Sequence, residues 1–216
     1  MLRILISFLQ ISSATAYAQS QTQFQVQTQT QAPSELSSGD QAVNAAMNQG
    51  QIHFQKREYS KSYESYYFVF KNHAGSPRFI EALAAGSQSL LMAGRTEDTL
   101  KLTEQALGLP NLTDRQVTDF LLLRSRIFDD RNDYWNLFET WFKLSQRHPI
   151  VSEQMSYSGR AIELIRDQLR ELELEKITKD PSYGNLRADA HFRLAEIALE
   201  TRNKDLAKDH LLSVID

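Results

Sequence analysis

The 216-residue chain carries 24 Lys and Arg against 27 Asp and Glu, giving a net charge of −3, and it contains no Cys. The missing thiols exclude disulfide frameworks, thiolate metal centres and cysteine nucleophiles, and the acidic balance offers no general attraction to nucleic acid or anionic lipid. A chain of this length holds one ordinary domain or a short repeat array.

Residues 1–18 have the organisation of a secretory signal peptide. Arg3 supplies the positive start, Ile4 to Ile11 form a short apolar run broken by Ser7 and Gln10, and Ala16-Tyr17-Ala18 has the small-x-small form of a cleavage site. A membrane span needs roughly 20 apolar residues, about twice this run. The expectation is export, cleavage after Ala18, no stable membrane insertion afterwards, and a periplasmic or secreted location. Residues 19–39 are expected to be a disordered linker. Seven of the fifteen residues from Gln19 to Pro33 are Gln and none is charged, so little apolar surface is available to offset the entropy of ordering. The alternation of Phe24, Val26, Thr28 and Thr30 also suits a strand added to a partner's sheet edge.

From Asp40 onward the spacing of apolar residues is helical. Ser76-Pro77 suits an N-cap followed by proline at the first helical position. Thr96 precedes Glu97 and Asp98, acids that a helix N-terminus favours. Thr113 with Gln116 has the spacing of a capping box, which accounts for Thr113 without invoking the glycosylation pattern Asn111-Leu112-Thr113. Gly94, Gly108 and Pro149 punctuate the gaps.

These helices come in pairs, and the pairs recur. A small residue in the middle of each first helix (Gly50, Ser87, Ser125, Ala195) returns at spacings of 37, 38 and 70 residues, the last being two intervals. Around these anchors stand Ala46, His53, Ser62, Tyr66 and Val69; then Leu83, Gly86, Leu90, Thr99, Thr103 and Ala106. The third set is Leu121, Arg124, Phe128, Leu137, Trp141, Leu144 and Pro149, and the last is Leu194, Ala198, Ala207, Leu211 and Val214. A small residue at mid-helix lets the paired helix approach, and larger apolar residues fill the space between units.

This pattern resembles the tetratricopeptide repeat (TPR) family, whose repeat sets small residues on a first helix, Ala and Phe on a second, and a Pro at the exit. Segments such as 54–59 and 93–98 read like its inter-helix turns. The units here lack the family's initial Trp, exceed its length of about 34 residues, and carry the exit proline only at Pro149. The units are about 40–76, 77–112, 113–149, an irregular 150–186, and 187–216. In the irregular stretch Met155, Ile162, Ile165, Leu169, Leu172 and Ile177 suggest one long helix, bent near Ser158-Gly159. Arg166, Asp167, Arg170, Glu171, Glu173 and Glu175 read as its solvated face or as a charged docking site.

Catalytic chemistry is not visible. His53, His73, His148, His191 and His210 have no metal-ligand spacing, His53 falling at an inward packing position. No Gly-x-Ser-x-Gly, phosphate loop or dinucleotide fingerprint occurs. The aromatics Tyr59, Tyr63, Tyr66, Tyr67 and Phe70, and then Tyr134, Trp135, Phe138, Trp141 and Phe142, recur at helical spacing and read first as core. Trp135, Phe138 and Phe142 form a second stripe, either buried or shown to a partner.

The expected fold is all-α, an α-solenoid of antiparallel helix hairpins, right-handed as the resemblance implies. The resemblance further implies a concave groove lined by Gln51, Phe54, Gln88, Leu91, Arg126, Asp129, Glu196 and Leu199. These positions lack the Lys/Asn set with which the family clamps a terminal carboxylate, so an internal peptide segment or a partner's helix is the expected ligand. The function expected is a non-catalytic adaptor for protein partners in the cell envelope, without cofactor, metal or nucleic acid. The alternatives are an envelope enzyme or small-ligand carrier whose site forms only in three dimensions, and a self-assembling subunit associating through its C-terminal repeat.

Overall fold

A computed structural model describes residues 38–215, which belong to one compact unit. It consists of ten α-helices and one 3₁₀ turn, with no strand among the described residues, so the all-α expectation holds. The helices are α1 Ser38–Gln55, α2 Tyr59–Asn72, α3 Phe79–Met92, α4 Thr96–Leu107, α5 Asp114–Asp130, α6 Tyr134–Arg147, α7 Val151–Asp167, α8 Glu171–Lys179, α9 Leu186–Glu200 and α10 Lys204–Ile215, with the 3₁₀ turn at Pro181–Tyr183. The export signal and the Gln-rich segment lie outside the described residues, except that the last two linker positions, Ser38 and Gly39, already belong to α1.

Local sequence accounts for the helix ends with one shift. Thr113 and Gln116 form the expected reciprocal cap: the Gln116 N–H donates to Thr113 Oγ1 (3.3 Å) and the Thr113 N–H donates to Gln116 Oε1 (2.9 Å). Glu97 and Asp98 occupy the first turn of α4. The helix expected from Ser76 instead begins at Phe79. The Ser76 hydroxyl accepts the Arg78 N–H (3.2 Å), capping a lead-in turn rather than the helix itself.

Four of the connections are the same object. In α1–α2, α3–α4, α5–α6 and α9–α10 the second residue past the helix is left-handed: Arg57 (φ 60°), Gly94 (φ 74°), Asn132 (φ 54°) and Arg202 (φ 61°). Its N–H donates to the carbonyl three residues back (Phe54, Leu91, Asp129, Leu199), at 2.9 to 3.0 Å. The next N–H reaches five residues back, from Glu58 to His53, Arg95 to Leu90, Asp133 to Phe128 and Asn203 to Ala198, at 2.8 to 2.9 Å. This closure satisfies the carbonyls that a helix end leaves unpaired and reverses the chain. The four left-handed residues are spaced by 37, 38 and 70 positions, the interval of the sequence anchors.

Each helix packs chiefly on its neighbours in the chain, α2 on both α1 and α3, α6 on both α5 and α7. Close approach is made by small residues at the crossing. A Cβ on Gly50 would stand 2.7 Å from the buried Tyr66 ring of α2, and one on Gly86 of α3 would stand 3.1 Å from Phe70, also of α2. The Ser62 hydroxyl donates to the Gly50 carbonyl (2.8 Å) and lies 2.9 Å from the Ser89 hydroxyl, pinning α1, α2 and α3 at one level. Most repeat positions are buried as expected, including Val69, Leu83, Leu90, Thr99, Thr103, Ala106, Leu121, Leu137, Leu144, Leu194, Ala198 and Ala207. Ser125 is only half-buried. Leu211 and Val214 are exposed, because α10 packs on α9 and on little else among the described residues.

The single bent helix expected over 150–186 is two helices. Gly159 is helical and exposed, and the break falls at Gln168–Arg170. Gly159 meets nothing within 4 Å, so no packing demand bends the helix there. None of the three connecting residues is left-handed, and α7 and α8 scarcely touch; α9 packs against both. Met155 and Leu172, expected inside, are 72% and 75% exposed, whereas Ile165, Leu169 and Ile177 are buried with Leu174 and Phe138. Glu173, expected on the solvated face, is buried. Its carboxylate accepts the Arg170 N–H (2.9 Å) and the Arg170 Nε–H (3.2 Å) at the start of α8.

Candidate functional site

A concavity of about 740 Å³ lies over α5 between α4 and α6. Its apolar floor is Val117, Leu121 and Phe128 on one face of α5, all buried, with Leu107 of α4. Asn136, Glu139, Thr140, Lys143 and Arg147 recur at helical spacing along α6 and form one wall; Glu104 faces them from α4. Tyr183 and Trp135 close one end.

The charges in this groove are held differently from one another. Arg124 is half-buried and makes no ion pair among the described residues: it donates to the Leu100 carbonyl (3.3 Å) and lies 5.3 Å over the Phe128 ring. Burial lowers its pKa, opposed by Glu104, and a guanidinium stays charged regardless. Lys143 makes no ion pair among the described residues, while Arg147 reaches Asp114 at 3.4 Å. Glu139 accepts the hydrogen bond of the Tyr183 hydroxyl, whose pKa is raised by burial first and by Glu139 second. The groove thus combines an apolar floor and the aromatic rings of Trp135, Phe128 and Tyr183 with charges of both signs, of which Lys143 alone among its cations has neither an ion pair nor a ring partner among the described residues.

Tyr183 also settles the second aromatic stripe of α6. The 3₁₀ turn places its ring 5.6 Å from Phe138 and 5.0 Å from Phe142, covering the stripe from within the chain. Phe138 is fully buried and Phe142 half-buried. Trp135 is half-buried at the edge of the groove, with Lys176 over its ring at 5.0 Å. Of the aromatic residues on α2 only Tyr66 is buried, and Tyr67 and Phe68 are exposed.

The eight positions expected to line a concave surface lie on α1, α3, α5 and α9, and none of them lines this groove. Gln51, Arg126, Asp129 and Leu199 are exposed; Phe54, Gln88, Leu91 and Glu196 are half-buried. Phe54 contacts the Tyr59 ring edge-on (5.3 Å), and Glu196 pairs with Arg193 (3.1 Å). The carbonyls of Phe54, Leu91, Asp129 and Leu199 serve the four equivalent turns, so these positions do correspond to one another. Arg124, Trp135, Lys143, Arg147 and Tyr183 were not assigned to the site by sequence. Trp135 was visible as part of a surplus aromatic stripe, but no sequence signal brings Tyr183 back to α6.

Among the described residues, histidine makes side-chain to side-chain hydrogen bonds at His53 and between His191 and His210. His53 Nδ1 lies 2.5 Å from Glu58 Oε2, and its Nε2 is 2.8 Å from the Gln49 amide nitrogen, so both ring nitrogens are occupied at the first turn. His191 and His210 face each other across α9 and α10; burial, then His210 and Arg187, lower the pKa of His191. No described histidine bonds a hydroxyl, which leaves no activated nucleophile of the Ser–His kind among the described residues. No cluster of three or more His, Asp or Glu able to hold a metal occurs among them, and no described helix is long and apolar enough to cross a membrane. Comparison with family models, with curated proteins and with solved structures finds no match to this chain.

Proposed function

We propose that the chain is a non-catalytic adaptor of the cell envelope, a TPR-like α-solenoid that holds a peptide segment or partner helix against its stacked helices. Four superimposable turns at the sequence period, and helices packed mainly on their chain neighbours, support the solenoid. The observation that carries the binding role is the α4–α6 groove, where a half-buried Arg124 without a carboxylate and an unpaired Lys143 stand over an apolar floor. A segment with apolar residues on one side and a carboxylate within reach of Arg124 satisfies both features. Export through residues 1–18 places the partner in the periplasm or outside the cell.

Affinity capture from envelope extracts tests this with two pairs of variants. Lys143→Glu and Trp135→Ala are expected to lose a partner that Phe54→Ala and Arg126→Glu retain. Loss by the second pair alone moves the binding face to the first helices, and retention by all four refutes docking on either face.

A second use of the surface has its own support. Phe192, Leu199, Leu211 and Leu212 are 50%, 53%, 41% and 51% exposed on the α9–α10 hairpin, a patch suited to self-association. Sedimentation of wild type against Leu199→Glu and Leu212→Glu reads this directly: an unchanged monomer in all three rejects it.

A further inference from the structure

The α9–α10 hairpin brings two imidazoles together from positions 19 residues apart. His191 Nδ1 and His210 Nδ1 are 3.2 Å from each other, with ring centroids at 5.4 Å, and both side chains are half-buried. One Nδ1–H donates to the other Nδ1, so two lone-pair positions converge on a single proton. In a tetrahedral zinc site with Zn–N distances of about 2.0–2.1 Å, two ligating nitrogens stand roughly 3.3–3.4 Å apart. The spacing imposed by the hairpin therefore matches one edge of that tetrahedron.

We propose that His191 and His210 form a two-imidazole site for a zinc-class divalent ion, bound through both Nδ1 atoms across the α9–α10 hairpin. The ion takes the place of the shared proton. That proton moves through solvent to Nε2 of the ring that carried it, so both imidazoles stay neutral and no net proton is released. Neutral imidazole suits Zn²⁺, Cu²⁺ and Ni²⁺ alike, and solvent completes the coordination.

The neighbouring charges act in opposite directions. Glu175 of α8 is not a third ligand: its carboxylate is paired with Lys179 at 2.7 Å, which acidifies it, and His210 adds to this only at longer range. Arg187 of α9 opposes a cation, with its guanidinium anchored by the Thr178 carbonyl (3.0 Å). The site is thus a clasp with two protein ligands. It fastens the helix that has the least cover, since α10 packs on α9 and exposes Leu206, Leu211, Leu212 and Val214. The sequence spacing gave no sign of it, because the two ligands meet only when the turn at Arg202 closes.

Calorimetric titration of the full chain with ZnCl₂ tests the assignment. One saturable ion per chain is expected, with affinity reduced more than about tenfold in both His191→Gln and His210→Gln, and unchanged in His148→Gln. Nitrogen-15 spectra of the wild-type imidazoles guard against a folding artefact: zinc should shift the Nδ1 resonances of both His191 and His210 while leaving the backbone fingerprint folded. Absence of saturable binding, binding indifferent to both histidine variants, or coordination shifts at Nε2 instead would each overturn the site.

Discussion

Four hairpins and one elbow are joined by connections of equal length, three residues each, yet only the hairpins bring their two helices together. At Arg57, Gly94, Asn132 and Arg202 a left-handed residue reverses the chain. At Gln168–Arg170 the backbone stays on the ordinary side, with Gln168 at φ −125° and Arg170 at φ −82°, and α8 leaves α7 instead of returning along it. Loop length alone therefore does not decide topology, and a left-handed residue is one way to bring two helices together rather than the only one, since α6 and α7 pack across residues 148–150 without one. The hairpins are held by contacts between adjacent helices. The elbow is held from outside by α9, by the fully buried Phe138, Ile165, Leu174 and Ile177, and by Tyr183 folded back onto α6.

If that external cluster fixes the elbow, removing its central ring is the most damaging change. Phe138→Ala should cost about 3–5 kcal/mol in denaturant unfolding; a cost under about 1 kcal/mol would mean that the elbow is secured elsewhere. Two of the mid-helix glycines, Gly50 and Gly159, give the next contrast. Gly50→Ala drives a methyl group into the buried Tyr66 ring and should cost about 1–3 kcal/mol. Gly159→Ala meets open space in α7 and should gain up to about 1 kcal/mol.

The cap of α8 supplies a pH-dependent contrast. The Glu173 carboxyl is held below the usual carboxylate range, first by its bond from the Arg170 side chain, with burial opposing. A lowered folded-state value means that its stabilisation is fully present above the unfolded pKa of about 4.3 and is lost as pH falls through the folded value. The melting-temperature difference between wild type and Glu173→Gln should therefore be constant from neutral pH down to about 5 and shrink below about 4.3. A constant difference throughout would remove the ion pair from the elbow's support. The smallest effects address the turns themselves. Arg57→Gly and Arg202→Gly should each gain about 0.5 kcal/mol by relieving left-handed strain, whereas Gln168→Gly should lose about 0.5–1 kcal/mol. Equal losses at all three sites would show that the dihedral is not what separates the two classes.

What was legible in the sequence follows the same division. The hairpins announce themselves because local rules write them. Small residues stand where helices cross, Thr113 and Gln116 cap one another, and the anchors return at the interval of the turns. The left-handed residues did not announce themselves, since three of the four are Arg or Asn rather than Gly. The elbow was misread because Met155 and Leu172 keep helical spacing while pointing into solvent, and Glu173 looks solvated although it is buried. The groove was missed for a related reason. Arg124, Lys143 and Tyr183 come from three separated segments, and only packing puts them around one floor. Four of the positions expected on the first-helix surface, Phe54, Leu91, Asp129 and Leu199, occupy equivalent places in the turns, and none of the eight lines the groove.

The proposal that α4, α5 and α6 present the working surface is tested most directly by site-specific photo-crosslinking in cells that make the protein. A photoreactive residue at position 143 should yield a partner adduct that disappears when Arg124→Glu is added, while the same residue at position 126 or 199 yields none. Adducts at 126 or 199 with none at 143, or an adduct at 143 indifferent to Arg124→Glu, would contradict it.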